Sequence, residues 1–170
     1  MQKKEDNGSH AFQKYYLHNF HKSATASVVI MRKPPYEVFE HTADVGLHAF
    51  GSSLEELFVH AAQGMENLMV PLEQIRVVTS REITVDGHDT VSLLISWLNE
   101  LIFFFDTEHL LFRDFTIEEI SETRLKGRAS GEAYDVERHE LSSAIKAVTW
   151  HEAAVTRTDE GYQARIIFDI

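Results

Sequence analysis

The sequence predicts an α+β fold, a single domain of mainly antiparallel β-sheet strands with two amphipathic helices packed on it. Three observations lead to this prediction. Apolar residues recur at helical spacing in two stretches, while the other apolar runs have the length and alternation of strands. These runs are grouped in hairpins and do not alternate one by one with the helices, which is typical of α+β architecture. The length of 170 residues fits one domain.

The first predicted elements are two strands and a helix. Short alternating apolar runs flank residues 41–46, His-Thr-Ala-Asp-Val-Gly, which we interpret as a polar turn between strands. Ser53-Leu54-Glu55-Glu56 is a capping box, in which the Ser and Glu side chains bond free amides of the first turn reciprocally. A helix follows until Pro71 ends it, with apolar positions at Leu54, Leu57, Phe58, Ala61, Ala62, Met65, Leu68 and Met69.

The second helix is predicted to start near Asp89. Its expected buried residues are Leu93, Leu94, Trp97, Leu98, Leu101, Ile102 and Phe105. Its end, residues 103–108, is so apolar that both faces must be covered or one must meet a partner, and we favour the core alternative. The remaining apolar runs predict strands at residues 76–86, 112–120, 124–134, 146–157 and 162–170. Asp159-Glu160-Gly161 joins the last two as a hairpin turn.

Residues 1–34 are expected to be an extension outside the domain, a dispensable, disordered tail or an artefact of an upstream start, and residues 35–170 the domain itself. The alternative is a real arm with the aromatic anchors Tyr15, Tyr16 and Phe20. The extension has no sustained periodicity, and Pro34-Pro35 closes it. It carries six Lys or Arg and two acids, net +4, whereas residues 35–170 carry ten and 25, net −15; together they give the net charge of −11. Because phosphate contacts require clustered Lys and Arg, this acidic domain is not expected to bind nucleic acid directly. It suits a basic protein partner or bound cations.

Several chemistries are not supported by the sequence. It has no cysteine, which excludes disulfides and thiolate zinc sites and suits a reducing, cytoplasmic interior. No apolar run approaches the roughly 20 residues that span a bilayer, so no membrane is expected. Glycine-rich phosphate loops and nucleophile signatures are absent. The histidines lack metal-ligand spacing, and we interpret them as hydrogen-bonded structural residues.

Carboxylates at two distant places suggest a metal site. Asp44 lies in the predicted turn, and the last strand closes on Asp169 and Ile170, whose terminal carboxylate follows directly. If that strand lies beside the turn, the Asp44 and Asp169 side chains and the Ile170 carboxylate converge. Oxygen ligands of this kind suit calcium or magnesium more than zinc. The alternative is that Asp44 only caps the turn through its own backbone.

These residues belong to a pattern that resembles the archease family, from about Tyr36 to Ile170. The matching segments are His41-Thr42-Ala43-Asp44-Val45-Gly46, Phe105-Asp106-Thr107-Glu108, Gly131-Glu132 with Asp135 and His139, Ile145-Lys146-Ala147-Val148-Thr149-Trp150-His151, and Phe168-Asp169-Ile170. Two positions depart from the pattern: Ala144 replaces an acidic residue, and Trp150 stands where Tyr is usual.

The resemblance implies a non-enzymatic accessory factor that activates an RtcB-type RNA ligase in tRNA splicing and RNA repair. It supports nucleotidylation of the ligase and its repeated turnover, while the ligase keeps the catalytic groups. Calcium, or possible magnesium, would be held by Asp44, Asp169 and Ile170, and His41, Glu108 and Lys146 are candidate partner contacts. Two alternatives stay open: a metal-dependent hydrolase whose carboxylates activate water, and a chaperone-like module that uses the apolar end of the second helix.

Overall fold

The computed structural model describes residues 33–41 and 44–170, apart from the side chain of His41. Within these residues the chain forms two α helices and seven strands, together with a short 3-10 helix at Leu72–Gln74. The helices are α1 (Leu54–Met69) and α2 (Thr90–Glu108). The strands are β1 (Tyr36–His41), β2 (Asp44–Gly51), β3 (Thr79–Asp86), β4 (Leu110–Ile120), β5 (Arg124–Ala133), β6 (Ala147–Thr158) and β7 (Gly161–Asp169). Residues 1–32 of the predicted extension, and Thr42 and Ala43, lie outside the described residues.

The strands form two antiparallel sheets. The four-stranded sheet has the order β1-β2-β7-β6, and the three-stranded sheet has the order β3-β5-β4. Three of the five strand pairs in the described chain join neighbours in sequence. Of the other two, β3 pairs with β5, and β2 with β7 joins the first hairpin to the last. The predicted α+β class is therefore confirmed. The β2–β7 pairing is what brings the two ends of the domain together.

Helix α1 begins where the capping residues predict, but only half of the predicted box forms. Ser53 Oγ accepts the Glu56 amide at 3.2 Å. The Glu56 carboxylate, however, accepts the amide of Ser52 at 2.6 Å, one residue before the N-cap Ser53. The helix ends at Met69, followed by an extended Val70 and then Pro71.

Helix α2 has a complete capping box at Asp89. Asp89 Oδ1 accepts the Ser92 amide at 2.7 Å, and Ser92 Oγ accepts the Asp89 amide at 2.9 Å. By length and composition the helix could span a membrane, but eight of its residues are buried in the protein, including Trp97, so it is a core helix. Of the aromatic residues at its end, Phe104 and Phe105 pack partly buried against the core and Phe103 stays 54% exposed.

The core lies between the helices and the inner faces of the sheets. Helix α1 contacts both β2 and β4, so it joins the two sheets, and α2 contacts β6 and β3. The carboxyl group of Glu66, on α1, lies among the buried apolar residues and is 1% exposed. Burial raises the pKa of Glu66 to about 8, although a hydrogen bond from the Phe112 amide of the edge strand β4 opposes the shift.

Two predicted boundaries are wrong. The predicted turn includes residues 44–46, but Asp44, Val45 and Gly46 already belong to β2 and pair with β1, with His41 opposite Asp44. Strand β3 starts at Thr79 and not at residue 76, because residues 76–78 make isolated hydrogen bonds and no continuous backbone ladder with β5. The Arg76 amide donates to a side chain, Glu132 Oε1, at 2.8 Å, and only Val78 bonds the β5 backbone, at Gly131 O.

Candidate metal centre and partner surface

The predicted carboxylates lie at one end of the four-stranded sheet. Val45 of β2 is opposite Phe168 of β7, so the next residues along, Asp44 and Asp169, face each other at the end of the two strands. Directly opposed residues of an antiparallel pair carry their side chains on the same face. Phe168 points into the core; Asp44 and Asp169 therefore lie on the outer face of the sheet.

The two outer strands add to this end of the sheet. His41 of β1 is opposite Asp44, and Ala147 of β6 is opposite Asp169. The Lys146 amide donates to Asp169 O at 2.8 Å, and Lys146 Nζ donates to the main-chain oxygen of Ile170 at 2.9 Å. Five of the six predicted site residues thus lie at the same end of the four-stranded sheet.

The chemistry of these groups fits a hard cation, with one condition. Asp44 and Asp169 supply two carboxylates on one face, and a terminal carboxylate at Ile170 would supply the third. In the described part of the chain, no three His, Asp or Glu side chains gather in a way that could hold a metal ion. A site here therefore requires the main-chain carboxylate, whose oxygen is in contact with the Lys146 ammonium. Metal binding by Asp44, Asp169 and Ile170 stays a prediction.

Glu108 lies apart from the other candidates. It is the last residue of α2, and its Oε2 accepts from Arg81 of β3 at 2.6 Å and 3.2 Å. This ion pair ties the helix end to the three-stranded sheet. As a partner contact, Glu108 would thus lie beside the three-stranded sheet, whereas Lys146 lies at the end of the four-stranded sheet.

The outer face of the four-stranded sheet carries an aromatic and charged stack that the sequence did not predict. The ring of Phe39 covers Gly46 so closely that a Cβ at residue 46 would lie 2.1 Å from it. The same ring lies 4.6 Å from His48, and the Arg165 guanidinium lies 4.4 Å from its centroid. Burial, and then the Arg165 charge, lower the pKa of His48. Residue 46 thus has to be a glycine, because the Phe39 ring occupies the space that a side chain would need. A glycine inside a strand is the sequence signal for such a close contact with the backbone.

Strand β6 contains a large bulge where the sequence predicts a continuous strand. Thr149 is opposite Ile167, but the next regular pair is Ala154 with Arg165, so four residues of β6 face the single residue Ile166. By alternation after the buried Val148, Trp150 would point into the core. It is instead 65% exposed, and Ala153 packs against the core. Leaving an indole in water forgoes burial energy of roughly 2 kcal/mol.

The bulge is fixed by a strained residue and an ion pair. Glu152 has a φ of 54°, a left-handed conformation that is uncommon for a residue with a side chain. Its Oε2 accepts from Arg165 Nε at 3.1 Å and from Arg165 Nη2 at 2.6 Å. Arg165 is in turn the residue that lies over Phe39. The bulge is therefore tied to the stack on the outer face of the sheet.

A second motif, Glu132 with His139, forms a buried polar cluster beyond the candidate site. Glu132 is 8% exposed and accepts from the Arg76 amide at 2.8 Å, Arg138 Nη2 at 2.7 Å and His139 Nε2 at 3.1 Å. The Asp135 amide donates to His139 Nδ1 at 2.9 Å, which puts the imidazole proton on Nε2. Burial raises the pKa of Glu132, but these donors outweigh it and hold the pKa below its usual value. The cluster fixes the turn after β5, which is a structural role.

An open cleft of about 730 Å³ lies beside this cluster, between the start of β3 and the turn after β5. Val78, Tyr134, Val136 and Arg138 are among its lining residues. None of the residues predicted for metal or partner binding lines it. This cleft is thus separate from the candidate site.

Comparison with known proteins agrees with the motif pattern. The model of the archease protein family matches residues 36–170. Protein archease of Methanosarcina mazei is 38% identical over 139 residues, covering 79% of this chain and 95% of the relative. Protein archease of Pyrococcus abyssi is 37% identical over 140 residues, covering 79% and 98%.

Two solved structures have the same fold. The solution structure of protein 1598 of Methanobacterium thermoautotrophicum has a TM-score of 0.67 at 36% identity, covering 80% of this chain and 99% of that protein. A crystal structure from Thermotoga maritima, described as an archease and possible chaperone, has a TM-score of 0.56 at 23% identity, covering 82% and 98%. The match of the family model over most of the chain, with relatives above 30% identity, shows that this chain belongs to the archease family.

Proposed function

We propose that this protein is a non-enzymatic accessory factor that activates an RtcB-type RNA ligase in tRNA splicing and RNA repair. Membership of the archease family supports a role in acting on another protein, since the Thermotoga maritima protein is described as a possible chaperone. The observation that carries the proposal is the β2–β7 register, which gathers Asp44, Asp169, Ile170 and Lys146 at one end of one sheet. We place this activity in the cytoplasm.

We further propose that Asp44, Asp169 and the Ile170 carboxylate hold a calcium ion, or magnesium in its place. The ion would neutralise carboxylates that otherwise repel one another and would add positive charge beside Lys146. His41, opposite Asp44, and Lys146, beside Ile170, would contact the ligase from the same end of the sheet. Glu108 would make a second, separate contact near Arg81.

Charge favours a protein over RNA as the direct partner. Residues 35–170 carry a net charge of −15, which repels phosphates and attracts a basic protein surface. The exposed lysines and arginines of the three-stranded sheet do not form a free basic patch, because Arg124, Lys126 and Arg128 each pair with a carboxylate. An acidic activator would therefore approach the ligase and leave RNA binding to it.

The test is ligase turnover with and without this protein, using the ligase of the same organism. We expect repeated rounds of RNA joining with the wild-type protein, and loss of stimulation with Asp44→Ala. Removing this half-buried strand-end carboxylate should change the free energy of unfolding by about 1 kcal/mol or less, so the variant should still fold.

Asp86→Ala is the matched control, because it removes an exposed carboxylate that pairs with Arg124 at 2.9 Å on the other sheet. It should stimulate like the wild type. Full stimulation by Asp44→Ala would leave Asp44 with a structural role only. Turnover of substrate by the purified protein without ligase would support the metal-dependent hydrolase instead.

A further inference from the structure

We propose that Trp150, displayed by the β6 bulge, anchors a basic segment of the partner beside the carboxylate end of the sheet. This inference rests on the proposed function and adds the chemistry of the contact. The occupant we infer is a Lys or Arg side chain of the ligase, with its stem packed on the indole face.

The construction of the bulge supports a display role for Trp150. Its position along β6 would bury it opposite Ile166 in a regular strand, but three extra residues move it out and give the inner position to Ala153. This arrangement uses a left-handed conformation at Glu152 and an ion pair to Arg165. Strained backbone that places a large apolar side chain in water is characteristic of functional surfaces.

Charge complementarity identifies the occupant. Trp150 follows Thr149, which is opposite Ile167. Ile167 lies two residues before Asp169, which is at the carboxylate end of the sheet. The Glu152 carboxylate is already bonded by Arg165, and the proposed calcium would neutralise Asp44 and Asp169, so the attraction for a cation comes from the net charge of −15 on residues 35–170. A cation over an indole on an acidic domain is attracted by both the ring and the charge of the domain. Trp is also the residue type most enriched where binding energy concentrates in interfaces.

The two tryptophans of the chain provide an internal control. Trp97 is fully buried and donates its Nε1 hydrogen to Phe58 O at 3.2 Å, whereas Trp150 is exposed. In protein labelled with fluorotryptophan, the fluorine NMR spectrum should give one signal for each. Adding unlabelled ligase should shift the Trp150 signal and protect it from a soluble quencher, while the Trp97 signal stays in place.

Variants then test the energy of the contact. Trp150→Ala should weaken ligase binding at least tenfold, about 1.4 kcal/mol, and the affinity of the wild type should fall with added salt. Trp150→Tyr should keep most of the binding. Phe103→Ala is the matched control, because it removes the other exposed large aromatic side chain of the described chain and lies on α2. It should bind like the wild type.

The outcomes separate this inference from the proposed function. Two results would overturn the inference alone. One is a ligase that is bound and activated while the Trp150 signal is unchanged, and the other is a ligase that Trp150→Ala binds as tightly as the wild type does. A ligase that neither binds the wild type nor responds to it overturns both. A Trp150 shift caused by raising the concentration of the protein alone, or by RNA alone, would identify a second copy or RNA as the occupant and also overturn the inference.

Discussion

The outer faces of the two sheets use charge in opposite ways. On the three-stranded sheet, basic residues of the central strand β5 pair with acidic residues of β3 and β4. The pairs are Arg124–Asp86 at 2.9 Å, Lys126–Glu118 at 3.2 Å, and Arg128 with Glu82 and Glu118 at 3.4 Å. On the four-stranded sheet, the strand ends collect carboxylates of the same sign at Asp44, Asp169 and Ile170. The first pattern neutralises itself and suits a solvated surface. Like charges brought together are stabilised by a cation, so the second pattern is the one that motivates the proposed metal site.

Glu66 is a third case, a carboxyl group on the helix between the two sheets, whose pKa among the described residues is shifted by burial and by the Phe112 amide and not by a charged neighbour. One of its oxygens has no hydrogen-bond partner within the described residues. Its pKa is about 8 in the fold against 4.5 for the free group. The unfolded chain therefore loses its proton first as the pH rises, and stability falls between about pH 4.5 and about pH 8.

We expect Glu66→Gln to remove most of this pH dependence. The gain in the free energy of unfolding above pH 8 should be several kcal/mol at most, since one unit of pKa corresponds to about 1.36 kcal/mol. Below about pH 4.5 both states of the wild type are protonated, so the two proteins should then be similar. Urea unfolding across this pH range is the measurement. Parallel curves for the two proteins would show that Glu66 is ionised in the fold.

The second prediction concerns the Ile170 carboxylate. A C-terminal tag converts it to a neutral amide and adds chain to the end of the sheet. Calcium affinity should fall at least tenfold, about 1.4 kcal/mol, in the C-terminal fusion only. Calorimetric titration of calcium into untagged, N-terminally tagged and C-terminally tagged protein would measure this. Equal affinities in all three would reduce the site to the two aspartates at most.

The smallest expected effect is that of Lys146. Lys146→Ala should weaken activation of the ligase severalfold, roughly 1 kcal/mol for an exposed charge, without weakening calcium binding. Lys126→Ala is the matched control, because Lys126 also contacts a carboxylate, Glu118, but on the three-stranded sheet. It should leave activation unchanged. Normal turnover and unchanged ligase affinity with Lys146→Ala would remove Lys146 from the contact surface.

Local signals predicted most of the fold. Ser53 and Asp89 mark both helix starts because capping is decided within one turn of chain. The bulge at residues 150–153 was not predictable, because a slip in pairing depends on the partner strand β7. The burial of Glu66 was missed for a similar reason. A helix that reads as amphipathic is here covered by both sheets, and only the tertiary structure reveals that.

The candidate site was predicted in part. The closing residues Phe168-Asp169-Ile170 correctly suggested a tied-down strand, and the structure places it beside Asp44. The predicted turn is wrong at residues 44–46 because Gly46 pairs within β2, where its missing side chain makes room for the ring of Phe39. The sequence could not show that contact, which joins two strands through their outer faces.

The position of β7 has a consequence for how the protein is made. It follows every other element in the chain, yet it lies between β2 and β6. During synthesis, β1 and β2 emerge early and must wait for more than 100 residues before their neighbour leaves the ribosome, a separation that slows closure of the sheet. Until then β2 and β6 each present an open edge that another chain could pair with. The four-stranded sheet of a nascent archease is therefore incomplete, and its open edges are vulnerable to aggregation, until β7 has emerged.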